Sequence, residues 1–399
     1  KGKLEDMNDL TFNGIRTLER LESQNSFIDQ KITYTHKWKE RNVILLKTRY
    51  FSNKIPQLYN LDDYLMGDLF LFDADAMSND IYNKKTYFGL EADIKLKQKN
   101  GDLFDFQFGY DHQDHSILTK FALFDGTERF VPNGFQTNSR YIVGDSYFKT
   151  GYRWKWENKT IQGKIEAHQL FNNFNSFENE KKQNPFYINP ELNFNWDVKP
   201  THILTASYRL RYRNNSLTEV NDSYLLTSSR SFQKGLGEFK LTDNQMAYIG
   251  YAIRHYINRY NFSLSLQYST QSNLITNRNL VEQNSSLTQN ILIKGCETFG
   301  GNFSSFFYWK DIKSQFNFQF NYSQSTSFNE VNNSGLRKNT SIYQRYKFEW
   351  ASKFKIPFNF FIGTEWTESK VVSPDFENSS IHGLSYIDLF YQINEKIDF

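Results

Sequence analysis

From Phe316 to Ser323 the chain alternates without a break: Phe316, Phe318, Phe320 and Tyr322 are interleaved with Asn317, Gln319, Asn321 and Ser323. Successive side chains of a strand point to opposite faces, so this segment has one aromatic face and one polar face. The pattern recurs along the chain. Phe262, Leu264, Leu266 and Tyr268 are set against Ser263, Ser265, Gln267 and Ser269. Leu204, Ala206, Tyr208, Leu210 and Tyr212 alternate with Thr205, Ser207, Arg209, Arg211 and Arg213. Phe88, Leu90, Ala92, Ile94 and Leu96 alternate with Gly89, Glu91, Asp93, Lys95 and Lys97. Phe104, Phe106, Phe108 and Tyr110 face away from Asp105, Gln107 and Asp111, and Ile387, Leu389, Tyr391 and Ile393 repeat the theme. A chain built of such strands needs an apolar medium on one side and a wet one on the other.

Composition narrows the medium. Phe (38) and Tyr (25) carry most of an 18% aromatic content, yet the mean hydropathy is −0.67. A soluble core draws chiefly on Leu, Val, Ala and Ile, and disordered chains are poor in aromatics. Strands with one lipid-facing side and aromatic girdles satisfy both numbers. No run of about 18 apolar residues is present for a transmembrane helix, a constraint that closed barrels escape by pairing their backbones between strands. The net charge of +3, from 47 basic and 44 acidic residues, gives no field for nucleic acid. Cys296 is alone, which excludes an internal disulfide or a cysteine-rich metal site. Lys1-Gly2-Lys3 begins without an apolar segment, so any export signal is removed or lies upstream.

Turn chemistry punctuates the strands. Tight turns are expected at Glu40-Arg41-Asn42, Lys99-Asn100-Gly101-Asp102, Glu157-Asn158-Lys159, Lys199-Pro200-Thr201 and Lys310-Asp311-Ile312-Lys313. Longer polar loops are expected over 53–84, 172–184, 271–286, 325–339 and 369–380. Short turns on one side and long loops on the other characterise outer-membrane barrels. Pro56, Pro132, Pro200 and Pro374 fall beside these turns or loops. Between residues 245 and 303 the two sides do not alternate cleanly. The expectation is an all-β fold, a large antiparallel transmembrane β-barrel of outer-membrane type, with roughly 16–20 strands of about 9–13 residues. Residues 1–30 form a polar lead-in, a loop or a short helix with Leu10, Ile15, Leu18 and Leu21 loosely spaced, and residues 31–399 supply the strands with long extracellular loops. After the turn Asn394-Glu395-Lys396, Ile397, Asp398 and Phe399 read as the start of an unfinished strand.

Asn333-Ser334-Gly335-Leu336-Arg337-Lys338-Asn339, with Tyr346-Lys347-Phe348-Glu349-Trp350 and Pro357-Phe358-Asn359-Phe360, resembles late barrel strands of Bacteroidota TonB-dependent outer-membrane receptors. These often carry a carboxypeptidase-regulatory-like N-terminal domain. Gln271-Ser272-Asn273-Leu274-Ile275-Thr276-Asn277-Arg278-Asn279-Leu280 has the same look. The likeness is closest in the last third of the chain. It implies a barrel of ~22 strands, of which this chain would be an incomplete part, closed by a plug domain upstream that meets a TonB-type energy-coupling partner. Outer-membrane lipid surrounds such a barrel, and a surface lipoprotein or another outer-membrane subunit is a further implied partner.

Chemistry is sparse along the strands. Asp111, His112, Asp114 and His115 are the tightest set of potential metal ligands, though a zinc-type site needs a third or fourth ligand in fixed geometry, and a solvated loop is the simpler reading. Asp73, Asp75 and Asp80 lack the central Gly and closing Glu of a calcium loop. Tyr59, Tyr64, Phe70 and Phe72 in the same stretch either cover the barrel mouth, meet a partner or pack on their neighbours. Arg209, Arg211 and Arg213 share a face that must turn inward, because guanidinium groups near the bilayer midplane cost about 2–4 kcal/mol each; acidic neighbours balancing them is the plainer reading, steering of an anion the sharper one. The histidines His36, His112, His115, His168, His202, His255 and His382 are scattered, and no Gly-x-Ser-x-Gly elbow accompanies them. No enzyme, cofactor, metal or catalytic residue is therefore assigned. Ligand uptake by a TonB-dependent receptor is the first expectation; a scaffold barrel in an outer-membrane complex and a passive porin-like channel are the alternatives.

Overall fold

The computed structural model describes residues 2–12, 15–39, 41–62, 69–70, 72, 74–177, 179–255, 259–394 and 397–398. The chain runs through β1 (Gly2–Phe12), β2 (Ile15–Trp38), β3 (Asn42–Asp62), β4 (Ala76–Lys97), β5 (Leu103–Asp125) and the short β6 (Glu128–Phe130). It continues through β7 (Thr137–Trp156), β8 (Lys159–Asn175), the short β9 (Glu180–Gln183), β10 (Phe186–Lys199) and β11 (His202–Arg213). A single helical turn, α1 (Leu217–Val220), leads to β12 (Leu225–Ser228) and β13 (Ser231–Lys234). Then come β14 (Thr242–His255), β15 (Tyr260–Gln271), β16 (Leu274–Val281), β17 (Ser286–Ile293), β18 (Cys296–Trp309) and β19 (Ser314–Val331). The last strands are β20 (Arg337–Ser352), β21 (Phe358–Val372), β22 (Glu377–Asn394) and β23 (Ile397–Asp398).

The wall is an antiparallel meander in the order β1, β2, β3, β4, β5, β7, β8, β10, β11, β14, β15, β18, β19, β20, β21 and β22. Its outer face carries the residues whose alternation marked the strands: Phe88, Leu90, Phe108, Tyr110, Tyr208, Leu264, Leu266, Phe318, Ile387 and Leu389 are all exposed. At one end the strands are joined at the expected turns, Glu40 of the first lying outside the described residues; Gly101 adopts φ +95° and Lys39, Glu157 and Lys313 also take positive φ. Trp38, Trp154, Trp156, Trp196, Trp309 and Trp350 lie close to this end on outward-facing positions, and Lys159 holds its ammonium 4.7 Å from the Trp156 ring. Amphipathic rings beside cationic heads suit the boundary between hydrocarbon and water.

The strands exceed the expected length: β3, β4 and β5 have 21, 22 and 23 residues. A tilted strand crosses the hydrocarbon with about 9–11 residues, so roughly half of each stands clear of it. There the apolar set changes face. In β5 the lower Phe104, Phe106, Phe108 and Tyr110 occupy outward positions, whereas Ile117, Phe121 and Leu123, of the opposite parity, are buried against the inside. This corrects the loop expected over 53–84, most of which is the β3–β4 hairpin, with Asn60 opposite Ser78. The loops expected over 325–339 and 369–380 likewise shrink to the connections left by β19, β20, β21 and β22. Pro56 sits within β3 and not beside a turn; the β2–β3 register skips Ile55 and Pro56, so the missing N–H faces a gap in the ladder. Residues 2–12 and 15–30, expected as loop or helix, form a hairpin with Gly2 opposite Asn25, tertiary pairing overriding a weak local pattern.

The ambiguity over residues 245–303 has a structural cause. β15 and β18 are neighbours in the wall, and the β16–β17 hairpin between them leaves it at the long-loop end. β17 pairs in parallel with β13, and β16 touches β19 through Arg278 opposite Glu330. Residues 214–241 fold back into the same region. Phe232 is buried among Phe70, Phe121 and Phe135, with ring centroids 4.9 Å from Phe135 and 5.3 Å from Phe121. Leu217 and Val220 of α1 and Phe239 pack on Ile117, Tyr141 and Phe174. The two apolar clusters lie on the inner side of the long-loop end, where the wall below is polar.

Candidate functional site

Direct partners in a ladder point to the same side, so the inner face can be followed across the wall. One line runs Lys47, Glu91, Gly109, Tyr147, His168, Tyr187 over β3, β4, β5, β7, β8 and β10. Lys47 Nζ donates to Glu91 Oε1 at 2.6 Å, and the Tyr147 hydroxyl donates to Glu91 Oε2 at 2.8 Å. His168 Nδ1 lies 2.9 Å from Asp145 Oδ2 and its ring stacks on Tyr187 with centroids 4.9 Å apart. Across the wall Arg345 holds Glu365 through two bonds of 2.8 Å, and Glu349 accepts from Asn317 at 2.7 Å and Tyr386 at 2.8 Å.

The expected arginines take their place in this pattern. Arg211 reaches Glu166 at 2.9 Å and Glu191 at 2.6 Å, and Arg213 binds Glu219 of α1. Arg211 and Arg213 are matched by acids on neighbouring elements, whereas Arg209 turns its guanidinium to the Met246 sulfur at 3.2 Å. Ser216 caps α1, its side chain accepting from the Glu219 N–H while the Glu219 carboxylate accepts from the Ser216 N–H. Burial alone would raise the Glu219 carboxyl, but Arg213 and the Ser216 N–H outweigh it and hold the group below its ordinary value.

Under α1 this inner wall leaves a cavity of about 270 Å³, lined by Lys85, Asp111, Gln113 and His115 from β4 and β5, Tyr141 and Asp145 from β7, Tyr187 from β10, and 213–217. Asn214 bridges Tyr141 and Asn172 at its edge, with bonds of 2.9 Å and 2.8 Å.

The ligand-like run 111–115 is divided by the strand. Asp111 and His115 face the cavity, where Asp111 accepts from the Tyr87 hydroxyl and His115 pairs with Asn83. His112 and Asp114 take the opposite parity; Asp114 binds Arg140 at 2.6 Å. Among the described residues no three His, Cys, Asp or Glu side chains are set to hold a metal ion. Asp73 and Tyr64 lie outside the described residues; Asp75 accepts from the Gly126 N–H, and Asp80 is in the β4 ladder. Tyr59 and Phe70 are buried in the apolar cluster and Phe72 stacks on Phe130. His168 is held by Asp145, and no serine hydroxyl among the described residues bonds to it. The Cys296 thiol donates to the Thr326 carbonyl at 2.6 Å.

The glycines were missed. A Cβ on Gly109 would fall within the Tyr147 ring and one on Gly363 within the Tyr386 ring. The signal was present, since glycine inside an alternating strand marks a close approach. Segment 214–217, which lines the cavity, carried no such mark.

No family model matches the chain, and no curated protein matches it. Among solved structures it is similar to the copper transporter OprC, with a TM-score of 0.54 at 10% identity, covering 95% of this chain and 64% of that one. The ferric-catecholate import receptor Fiu of E. coli aligns with a TM-score of 0.47 at 8% identity, over 97% of this chain and 59% of that one. FpvA of P. aeruginosa, solved with bound pyoverdine, gives 0.43 at 11% identity, over 98% and 64%. The chain thus spans less than two thirds of the length of each. The OprC match and the nearly all-strand architecture establish the fold: a large antiparallel β-barrel wall of outer-membrane type, resembling TonB-dependent receptor barrels.

Proposed function

We propose that this chain is the wall of an outer-membrane receptor of the TonB-dependent type, taking up a ligand across the membrane. The carrying observation is the inner face, a polar surface running from β3 to β22 and charge-paired over β3 to β11 and again over β20 and β21, with 213–217 closing a cavity at the long-loop end. In this reading the Trp-lined short turns face the periplasm and the long connections face outward. Strands β1 to β22 act as the barrel wall proper. A plug domain fills the lumen and a TonB-type partner supplies energy. The OprC-like fold supports this reading.

Uptake tests it. Cells depending on this protein should lose accumulation of the ligand when a protonophore collapses the inner-membrane potential, and when the coupling partner is deleted. Flux through the purified protein in liposomes, with no energy source, would point to an open channel instead.

A further inference from the structure

We propose that the short-turn rim of the wall is a docking belt for anionic phospholipid headgroups. The inference goes beyond uptake and needs only the barrel fold. It begins with charge. The segments 37–42, 97–102, 153–159, 197–202, 253–260, 309–314 and 352–358, which join wall strands at this end, hold fifteen Lys and Arg against five acids. The whole chain holds 47 against 44, so the remainder of the molecule is net acidic. Elsewhere the wall pairs its cations, Lys47 with Glu91, Arg140 with Asp114 and Arg345 with Glu365. At the rim it does not: none of the fifteen side chains forms an ion pair among the described residues. Two of the rim acids are engaged locally, Asp102 accepting from the Tyr152 hydroxyl and the Lys155 N–H, each at 2.9 Å, and Asp311 from the Trp309 indole at 3.4 Å. The positive charge is left for something outside the chain.

The rings beside it say what that is. Lys159 holds its ammonium 4.7 Å from the Trp156 ring and 5.3 Å from the Trp196 ring, and Lys39 lies 5.4 Å from the Trp38 ring. Trp38 and Trp156 are 46% and 52% exposed on outward positions of a wall that faces lipid. Indole rings settle where hydrocarbon meets headgroups, and an ammonium beside them reaches the depth of the phosphates. A headgroup that carries net negative charge is favoured over a zwitterionic one at each such cation. The charge also follows every short connection from β2–β3 to β20–β21, as a surrounding leaflet requires, whereas an acidic protein would call for a patch on one arc. In the orientation proposed above, this end meets the phospholipid leaflet.

The test is quenching of intrinsic fluorescence in lipid nanodiscs of phosphatidylcholine. Six of the chain's seven Trp lie at this end, so the signal reports the rim. Dibrominated phosphatidylglycerol should reach it about two- to fivefold more strongly than dibrominated phosphatidylcholine, and the preference should fall as salt rises. The triple variant Lys39→Gln, Lys159→Gln, Lys310→Gln should about halve the preference. Lys182→Gln with Lys338→Gln, at the long-loop end, should leave it intact. Heat-shifted gel mobility checks that both variants fold. Equal quenching by the two lipids, or a preference unmoved by salt or by the triple variant, would overturn the proposal. Displacement of phosphatidylglycerol by poly-L-glutamate at matched ionic strength would assign the rim to an acidic protein, and displacement by inorganic phosphate to a free anion; either result also overturns it. The readout needs neither energy nor a transported ligand, so it stands or fails apart from the uptake reading.

Discussion

Tyr147 on β7 crosses above Gly109 on β5 and donates to Glu91 on β4, a bond of 2.8 Å that spans three strands. The relationship recurs across the wall, where Tyr386 on β22 crosses Gly363 on β21 to Glu349 on β20 at 2.8 Å. In both cases glycine vacates the ladder position between donor and acceptor, and a second donor, Lys47 or Asn317, reaches the same carboxylate from its far side. The polar face is thereby cross-linked perpendicular to its strands.

Filling that vacancy should be worse than deleting the bond. Gly109→Ala is expected to destabilise the wall by about 1–3 kcal/mol, because the ring must move off its path. Tyr147→Phe should cost about 1 kcal/mol, the net worth of one hydrogen bond. Urea unfolding in lipid bilayers measures both; equal losses would show that the ring is not confined by Gly109.

Neighbouring residues of β11 should respond oppositely to charge. Tyr208 is exposed on the outer face, and Tyr208→Arg is expected to cost about 2–4 kcal/mol at mid-bilayer depth. Arg211 bonds to Glu166 and Glu191 but remains partly exposed, so Arg211→Leu should cost only about 1 kcal/mol. The same unfolding assay reads the contrast, and a cheaper Tyr208→Arg would reverse the inner and outer assignment.

The roof should detach without the wall. Phe232 is 1% exposed among three other phenylalanines, and Phe232→Ala should cost about 3–5 kcal/mol of local stability. Limited proteolysis is expected to cut within 214–241 of the variant while the remaining strands keep their heat-shifted mobility. Uncut variant protein would mean that other contacts hold the segment.

Acid should loosen α1 through Glu219. The folded carboxyl titrates below its ordinary value of 4.5, so the unfolded segment binds more protons in that window. The stabilisation is complete above the ordinary value and is lost as pH falls through the lowered one. Hydrogen exchange over 216–221, corrected for intrinsic rate, should quicken from pH 6 to pH 3, and Glu219→Gln should remove the pH dependence.

The part of the fold seen by lipid was legible in the sequence. Phe316 to Tyr322 alternates because one medium lies outside the wall and another inside, and the structure keeps that register through all sixteen positions from Ser314 to Asn329 opposite β20. Legibility failed where the medium changed. Above the bilayer β5 turns its apolar residues inward, so the alternation that runs from Phe104 to Tyr110 does not continue in phase to Phe121, and the same inversion made the β3–β4 hairpin look like a loop. The β16–β17 hairpin was hidden because excursion from a wall leaves no mark in periodicity. Arg211 could be sent inward from cost alone, but its acids, Glu166 and Glu191, lie 45 and 20 residues away in sequence. The cavity was invisible for the same reason, being made where Lys85, Asp145 and Asn215 converge from separate strands and a loop.

The four-residue parallel pairing of β13 with β17 gives the roof a second anchorage. A flap on one hinge can swing; a strip tethered at β11 and β14 and again through β17 to its flanking strands β15 and β18 is a trussed span. Any widening of the mouth on this side has to unzip that short ladder or deform the strands themselves.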